Sequence, residues 1–231
     1  MRWLVATLLA GVMAGASGDG PARAQGEVYA PAPPRGSAYV RIVNTLPNDV
    51  QIRSDFLPTL RFGSQPALRA TPYTVVENVA GRPLRLEMAD GQSQGRGALT
   101  AAPGAFVTVI IHHDGRGSLT ATPISEDTDF NRARARLAFY NALPDCPAAS
   151  VQLQPSGQAV FADVPPLQGR ARSVNPVVAR VRAICGANVS AEFALEGLEA
   201  GGMYSMWIIP GAGAASPEAF LIRDTTAVYR R

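Results

Sequence analysis

Residues 38–43 alternate in character: Val40 and Ile42 fall on one face of an extended segment, Tyr39, Arg41 and Val43 on the other. Pro47 and the polar residues around it break this run at residues 44–48. Residues 84–88 alternate strictly and end at Asp90-Gly91, a hairpin signal. Residues 106–111 are apolar and β-branched with little interruption, as in a strand buried on both faces, and Asp114-Gly115 turns the chain back. Comparable runs return at 177–184, 191–195, 203–209 and 219–222. Only residues 127–136 carry mild helical character, with Asp129 and Asn131 as caps of a short turn. Short strands separated by frequent turns predict β-sandwiches or small barrels.

The pattern repeats. Val40, Ile42, Asn44, Leu46 and Pro47 recur as Leu137, Phe139, Asn141, Leu143 and Pro144, at an offset of 97. Residues 104–111 align with 202–209, from Gly104 on Gly202 to Ile111 on Ile209, at an offset of 98. Two matches in order predict two copies of one small fold, too few for a solenoid. The expected fold is all-β, with two tandem related β-sandwich domains after a cleaved signal peptide. Its parts are a signal peptide (1–24), a Pro-rich arm (25–37), a first sandwich (38–125), a linker (126–134) and a second sandwich (135–231).

The leader is read from Arg2, the apolar stretch 3–16 and the small residues Ala22 and Ala24 at a signal-peptidase site. The stretch is shorter than the ~20 residues that span a bilayer. Export, to the periplasm, follows as the expectation. Composition then adds three points. Apolar types make up 47% of the chain and charged types 17%, enough for packed cores. All 21 basic residues are arginine, against 18 acids, and that small excess predicts no nucleic-acid binding. The two cysteines, Cys146 and Cys185, predict one disulfide in an oxidising compartment.

Candidate chemistry is sparse. His112 and His113 are neighbours on a predicted strand, so their rings point to opposite faces and do not share a metal. Asp114 follows them, but no nucleophile elbow occurs. Glu126, Asp127 and Asp129 form a solvated run without the spacing of a calcium loop, and no metal is expected. Gly95-Arg96-Gly97 and Gly115-Arg116-Gly117 read as turns. Arg132, Arg134 and Arg136, Arg170 and Arg172, and Arg180 and Arg182 recur at i, i+2, which puts each set on one face of an extended segment. Arginine forks suit carboxylates, so Arg132, Arg134, Arg136, Arg180 and Arg182 are candidate contacts for an acidic polysaccharide or an acidic partner. The arm supplies a second candidate surface: Pro31, Pro33 and Pro34 favour an extended segment with little entropy to lose, and Val28 and Tyr29 are apolar anchors for docking.

Tyr29, Pro31, Pro34, Gly36, Ser37, Ala38, Tyr39, Val40, Arg41 and Asn44 together resemble the opening of the mature AlgF family, accessory proteins of bacterial alginate O-acetylation. The resemblance is specific in this opening motif and extends to the leader, the length and the second strand ending in Asn141. It implies an exported two-domain β-sandwich protein without catalytic residues or cofactors. Its implied partners are a membrane-bound O-acyltransferase and SGNH-type periplasmic acetyltransferases, and the polymer is alginate or another exopolysaccharide. The cysteine pair and the Arg-rich strands of the second copy are not part of the resemblance. The residues on their own show no nucleophile–base–orienter set. Two other readings remain: an acetyl carrier or transferase using Ser37 or His112 and His113, and an arginine-based polyuronate-binding module.

Overall fold

The computed structural model describes residues 32–129, 131–212 and 216–230. The leader and Val28, Tyr29 and Pro31 of the arm lie outside the described residues. The chain is all-β, as its alternation predicts. In the first half the strands are β1 (Ala38–Asn44), β2 (Val50–Ser54), β3 (Leu60–Phe62), β4 (Thr74–Val76), β5 (Leu84–Ala89), β6 (Gln94–Leu99), β7 (Phe106–His113) and β8 (Leu119–Ser125). In the second they are β9 (Ala135–Asn141), β10 (Ala149–Gln154), β11 (Ala159–Val164), β12 (Gln168–Val174), β13 (Ala179–Cys185), β14 (Asn188–Val189), β15 (Phe193–Leu195), β16 (Met203–Ile209) and β17 (Glu218–Asp224). The helical character around residues 127–136 is not realised. Asn131 instead accepts from the Ala133 N–H in a tight turn that leads straight into β9.

The duplication is visible in the sheet order. Sheets β4-β1-β7-β8 and β3-β2-β5-β6 make the first sandwich; β12-β9-β16-β17 and β11-β10-β13-β14, with β15 also on β13, make the second. In both, the opening strand runs parallel to a late strand, β1 with β7 and β9 with β16.

That parallel pairing corrects the second alignment. Arg41 faces Thr108 across β1 and β7, and Ala138 faces Ser205 across β9 and β16, so Thr108 corresponds to Ser205 at an offset of 97 throughout. The left-handed glycines agree: Gly104 and Gly201 have φ of 79° and 76°, and their N–H groups bond Ser37 O and Arg134 O. An offset of 98 would exchange the faces of the strand. At 97, Val107, Val109 and Ile111 match Tyr204, Met206 and Ile208, all in the sandwich cores.

The shared asparagine is structural. Asn44 Oδ1 accepts from the Leu46 N–H at 3.0 Å, and its Nδ2 donates to Asn48 O at 2.9 Å. Asn141 repeats this with the Leu143 N–H at 3.1 Å and with Cys146 O and Val164 O at 2.9 and 3.0 Å. Both side chains are buried and tie the strand-end turn to the facing sheet, which satisfies backbone groups that water cannot reach.

A third apolar cluster joins the halves. Val43, Ile110, Ala138, Tyr140, Ala142, Trp207, Ile209 and Phe220 pack together, mostly from the faces of β1/β7 and β9/β16 turned away from their own cores, with Phe220 from β17 and Ala142 just after β9. The four central strands are therefore buried on both sides, which explains their apolar runs. The chain end adds a backbone link. Tyr73 N–H donates to Thr225 O and Ala227 N–H donates to Tyr73 O, both at 2.8 Å, so the tail after β17 lies along the first sandwich.

Cys146 and Cys185 form a disulfide in the second sandwich, with Cα atoms 5.8 Å apart and a sequence separation of 39. In the chain-entropy account a loop of that length stabilises by roughly 3–4 kcal/mol. Cys146→Ser/Cys185→Ser is expected to lose about that much in urea denaturation, and non-reducing mass spectrometry of the purified protein should find no free thiol.

Candidate functional site

The most elaborate polar arrangement lies between the sandwiches. Arg41 projects from β1 into this interface and is 1% exposed. Its Nε donates to Thr108 Oγ1 of β7 at 2.8 Å, and Nη2 donates to Tyr140 Oη of β9 at 3.2 Å. Nη1 pairs with Asp224 of β17 and lies 3.4 Å from Ser205 Oγ of β16. Glu126, just after β8, is 3.7 Å from Nη2. The guanidinium lies 4.7 Å from the ring centroid of Tyr73, 5.5 Å from that of Tyr140 and 5.8 Å from that of Trp207. The last two rings stack at 4.3 Å.

Glu126 is the second hub. It accepts from Tyr140 Oη at 2.6 Å, from Arg136 Nη2 at 3.0 Å and from the Thr108 hydroxyl. Asp224 accepts from Ser205 Oγ at 2.6 Å, and Trp207 Nε1 donates to Ser205 at 3.0 Å. Two guanidinium groups thus meet two buried carboxylates, and formal charge balances. Desolvation works against the Arg41 charge, but Asp224, with Tyr140, Tyr73 and Glu126, outweighs it and holds its pKa above the ordinary value. Burial pushes the Tyr140 phenol well up, against the pull of Arg41, so Tyr140 stays protonated and donates to Glu126. Arg69 makes a second link: buried, it donates to Leu46 O at 2.6 Å and lies 3.7 Å from Glu218 of β17.

This arrangement fastens the halves together; its groups are closed in on one another. A cavity of about 130 Å³ adjoins it, lined by Glu126, Arg136, Tyr140, Gly169 and Arg170 among others. Gly169 is required there, because a Cβ would stand 2.5 Å from the Tyr140 ring. Arg136 Nη1, buried beside this cavity, has no partner among the described residues, and a water molecule fits that role.

The other sequence candidates fall elsewhere. His112 Nδ1 donates to His113 O and Nε2 accepts from Thr122 Oγ1, both at 2.8 Å, while His113 Nε2 is 3.1 Å from Asp90 Oδ2. The two rings do point apart. Ser37 is buried at the start of β1, whereas the histidines end the parallel strand β7. Tyr39 faces Phe106, so at ~3.3 Å per residue Ser37 and His112 are roughly 20 Å or more apart and make no catalytic pair. No group of three His, Cys, Asp or Glu among the described residues is placed to hold a metal.

The arginine sets divide. Arg136 is a correction: it is buried in the interface on Glu126 and on Asp127 O, which removes it from any polyanion surface. Arg132 and Arg134 are exposed in the turn before β9. Arg180 and Arg182 share one carboxylate, Glu192, at 3.2 and 2.6 Å, so half of their charge is met within the protein. Arg170 and Arg172 donate to Ala162 O and Val160 O, both at 2.9 Å. Gly95-Arg96-Gly97 is not a turn but part of β6, where the glycines let the strand approach Leu119 and Ala121 of β8. Pro33 and Pro34 are half-buried before β1, and Ser37 N–H bonds Pro34 O at 3.3 Å.

No protein-family model matches the chain, and no curated protein matches it. No helix among the described residues is long and apolar enough to cross a membrane.

Arg41→Met leaves Asp224 buried without its cation and should cost about 3–5 kcal/mol in urea denaturation. Arg180→Ala/Arg182→Ala should cost about 1 kcal/mol or less, as exposed pairs do. Asp224→Asn on the Arg41→Met background should add less than it costs alone. His112 supplies a pH dependence. Burial lowers its pKa below the ordinary 6.5, so the unfolded chain binds the extra proton more readily. Stability should therefore fall as pH drops below about 6.5. The melting temperature should fall less over the same range in His112→Gln.

Proposed function

We propose that this chain is a non-catalytic periplasmic adaptor in the O-acetylation of an exopolysaccharide, alginate or a similar polymer. It would bring a membrane-bound O-acyltransferase together with periplasmic SGNH-type acetyltransferases, which carry out the transfer. The observation that carries the adaptor role is the interface around Arg41. Two sandwiches fastened by a buried, charge-balanced cluster and an apolar seam present two outer sheets at a fixed spacing, as a protein that positions two partners requires.

The pathway rests on the opening motif, Tyr29 to Asn44, and on its resemblance to the AlgF family. A disulfide favours an oxidising compartment, which suits export. The reading as an acetyl carrier gains no support from the geometry, because Ser37 is buried and far from both histidines.

A strain lacking the chain should make the polymer in normal amount with its acetyl groups largely lost, measured by NMR of the purified polysaccharide. Fully acetylated polymer from that strain would refute the adaptor role. A one-acetyl mass shift of the pure protein after incubation with an acetyl donor would favour the carrier instead.

A further inference from the structure

The outer face of the first sandwich carries a charge pattern that the interface does not use. On β3-β2-β5-β6 the residues turned away from the core are Arg61, Gln51, Arg53, Arg85, Glu87, Gln94 and Arg96. Arg96 pairs with Glu87 at 3.2 Å. Arg53, Arg61 and Arg85 have no carboxylate partner among the described residues, and the nearby Asp55 is taken by Arg82 and by the Arg85 N–H. Four arginines against one glutamate leave an excess of three positive charges on one sheet face.

Strand register orders them. Gln51 faces Arg61 and Arg53 faces Glu87, while Arg85 lies two residues before Glu87 on β5. Arg61, Arg53 and Arg85 therefore lie on a diagonal across three adjacent strands, in steps of roughly 7–8 Å. The face is hollowed over the part of that diagonal that holds Arg53 and Arg85, and Arg61 stands on the strand beside the hollow. Two concavities of about 480 and 270 Å³ adjoin and share Arg53 and Glu87, and Gln51, Gln94 and Arg85 are also in their walls.

We propose that this trough binds an extended acidic polysaccharide, its carboxylates on the arginine diagonal and its hydroxyls on Gln51 and Gln94. Regular spacing of unpaired guanidinium groups suits a chain that carries carboxylates at regular intervals. An acidic protein partner fits less well, because protein interfaces depend on buried apolar or aromatic anchors. The large exposed apolar residues among the described residues, Leu68, Val177, Val178 and Val228, all lie outside the trough. Without an aromatic platform the binding is weak and charge-driven, and it falls with salt. The proposal draws only on the charge and shape of this face and stands apart from the adaptor reading.

Calorimetry of the purified mature protein tests it with a short oligouronate, a neutral oligosaccharide of equal length and poly-glutamate. The oligouronate should bind at low salt and be released at high salt, with the neutral sugar and the polypeptide binding much less. Combining Arg53→Ala, Arg61→Ala and Arg85→Ala should weaken binding by about tenfold while the melting temperature holds, since the three side chains are exposed. Unchanged binding by that variant overturns the proposal, as does equal binding of the neutral sugar. Equal binding of poly-glutamate overturns it in favour of an acidic protein. A loss confined to Arg180→Ala/Arg182→Ala would place the site in the second sandwich and overturn it too. Acetylation by the deletion strain reports separately on the adaptor role, so the two readings fail independently.

Discussion

Arg41 is charged, buried and has no carboxylate of its own sheet to meet it. Taking such a group out of water costs several kcal/mol unless opposite charge and full hydrogen bonding are supplied. Here Asp224 comes from the second sandwich and Glu126 from the segment between the two. The first sandwich alone would expose this arginine to water or strand it. The second alone would leave Asp224 beside Ser205 with no cation. Each half completes the other, which is why the molecule holds as one unit rather than as two beads on a linker.

This dependence places constraints on the strands. β1 and β7 must be apolar on the face toward their own core and mixed on the other, where Arg41 and Thr108 sit among Val43 and Ile110. The alternation of β1 and the apolar run of β7 were legible in the sequence, and so was the all-β class. The repeat was legible as well, because Asn44 and Asn141 do the same job and the residues around them are held by that job. The second alignment is one residue out because two adjacent glycines, Gly201 and Gly202, both offer a match, and it is Gly201 that adopts the left-handed turn of Gly104.

The site was legible only in part. An i, i+2 spacing says that Arg132, Arg134 and Arg136 share a face, not whether that face meets water. Arg136 begins β9 and is drawn inward by Glu126, a residue that composition placed in a solvated run. Charge pairs far apart in sequence, 41 with 224 and 41 with 126, leave no local signal. The same holds for the tail after β17, whose bonds to Tyr73 join it to the first sandwich. By contrast, the arginines of the outer first sheet were legible one by one. Only strand register sets Arg61, Arg53 and Arg85 in line.

The duplication also explains why the two inner faces differ so much more than the two cores. Two identical copies meeting face to face would set like against like, and a pair of facing buried arginines repels. Position 41 corresponds to 138, where the second copy has alanine. Positions 43 and 110 correspond to Tyr140 and Trp207, which stack on each other and lie within reach of the Arg41 guanidinium. Thr108 and Ser205 keep a hydroxyl at the same place in both copies, and each hydrogen-bonds the same arginine. One copy thus contributes Arg41, and the other the small residue, the stacked rings of Tyr140 and Trp207, and Asp224. The cores kept their apolar pattern because each still closes on itself, whereas the inner faces had to become complementary. The outer sheets were under neither constraint, and it is there that the unpaired arginines of the first copy and the Glu192-paired arginines of the second diverge.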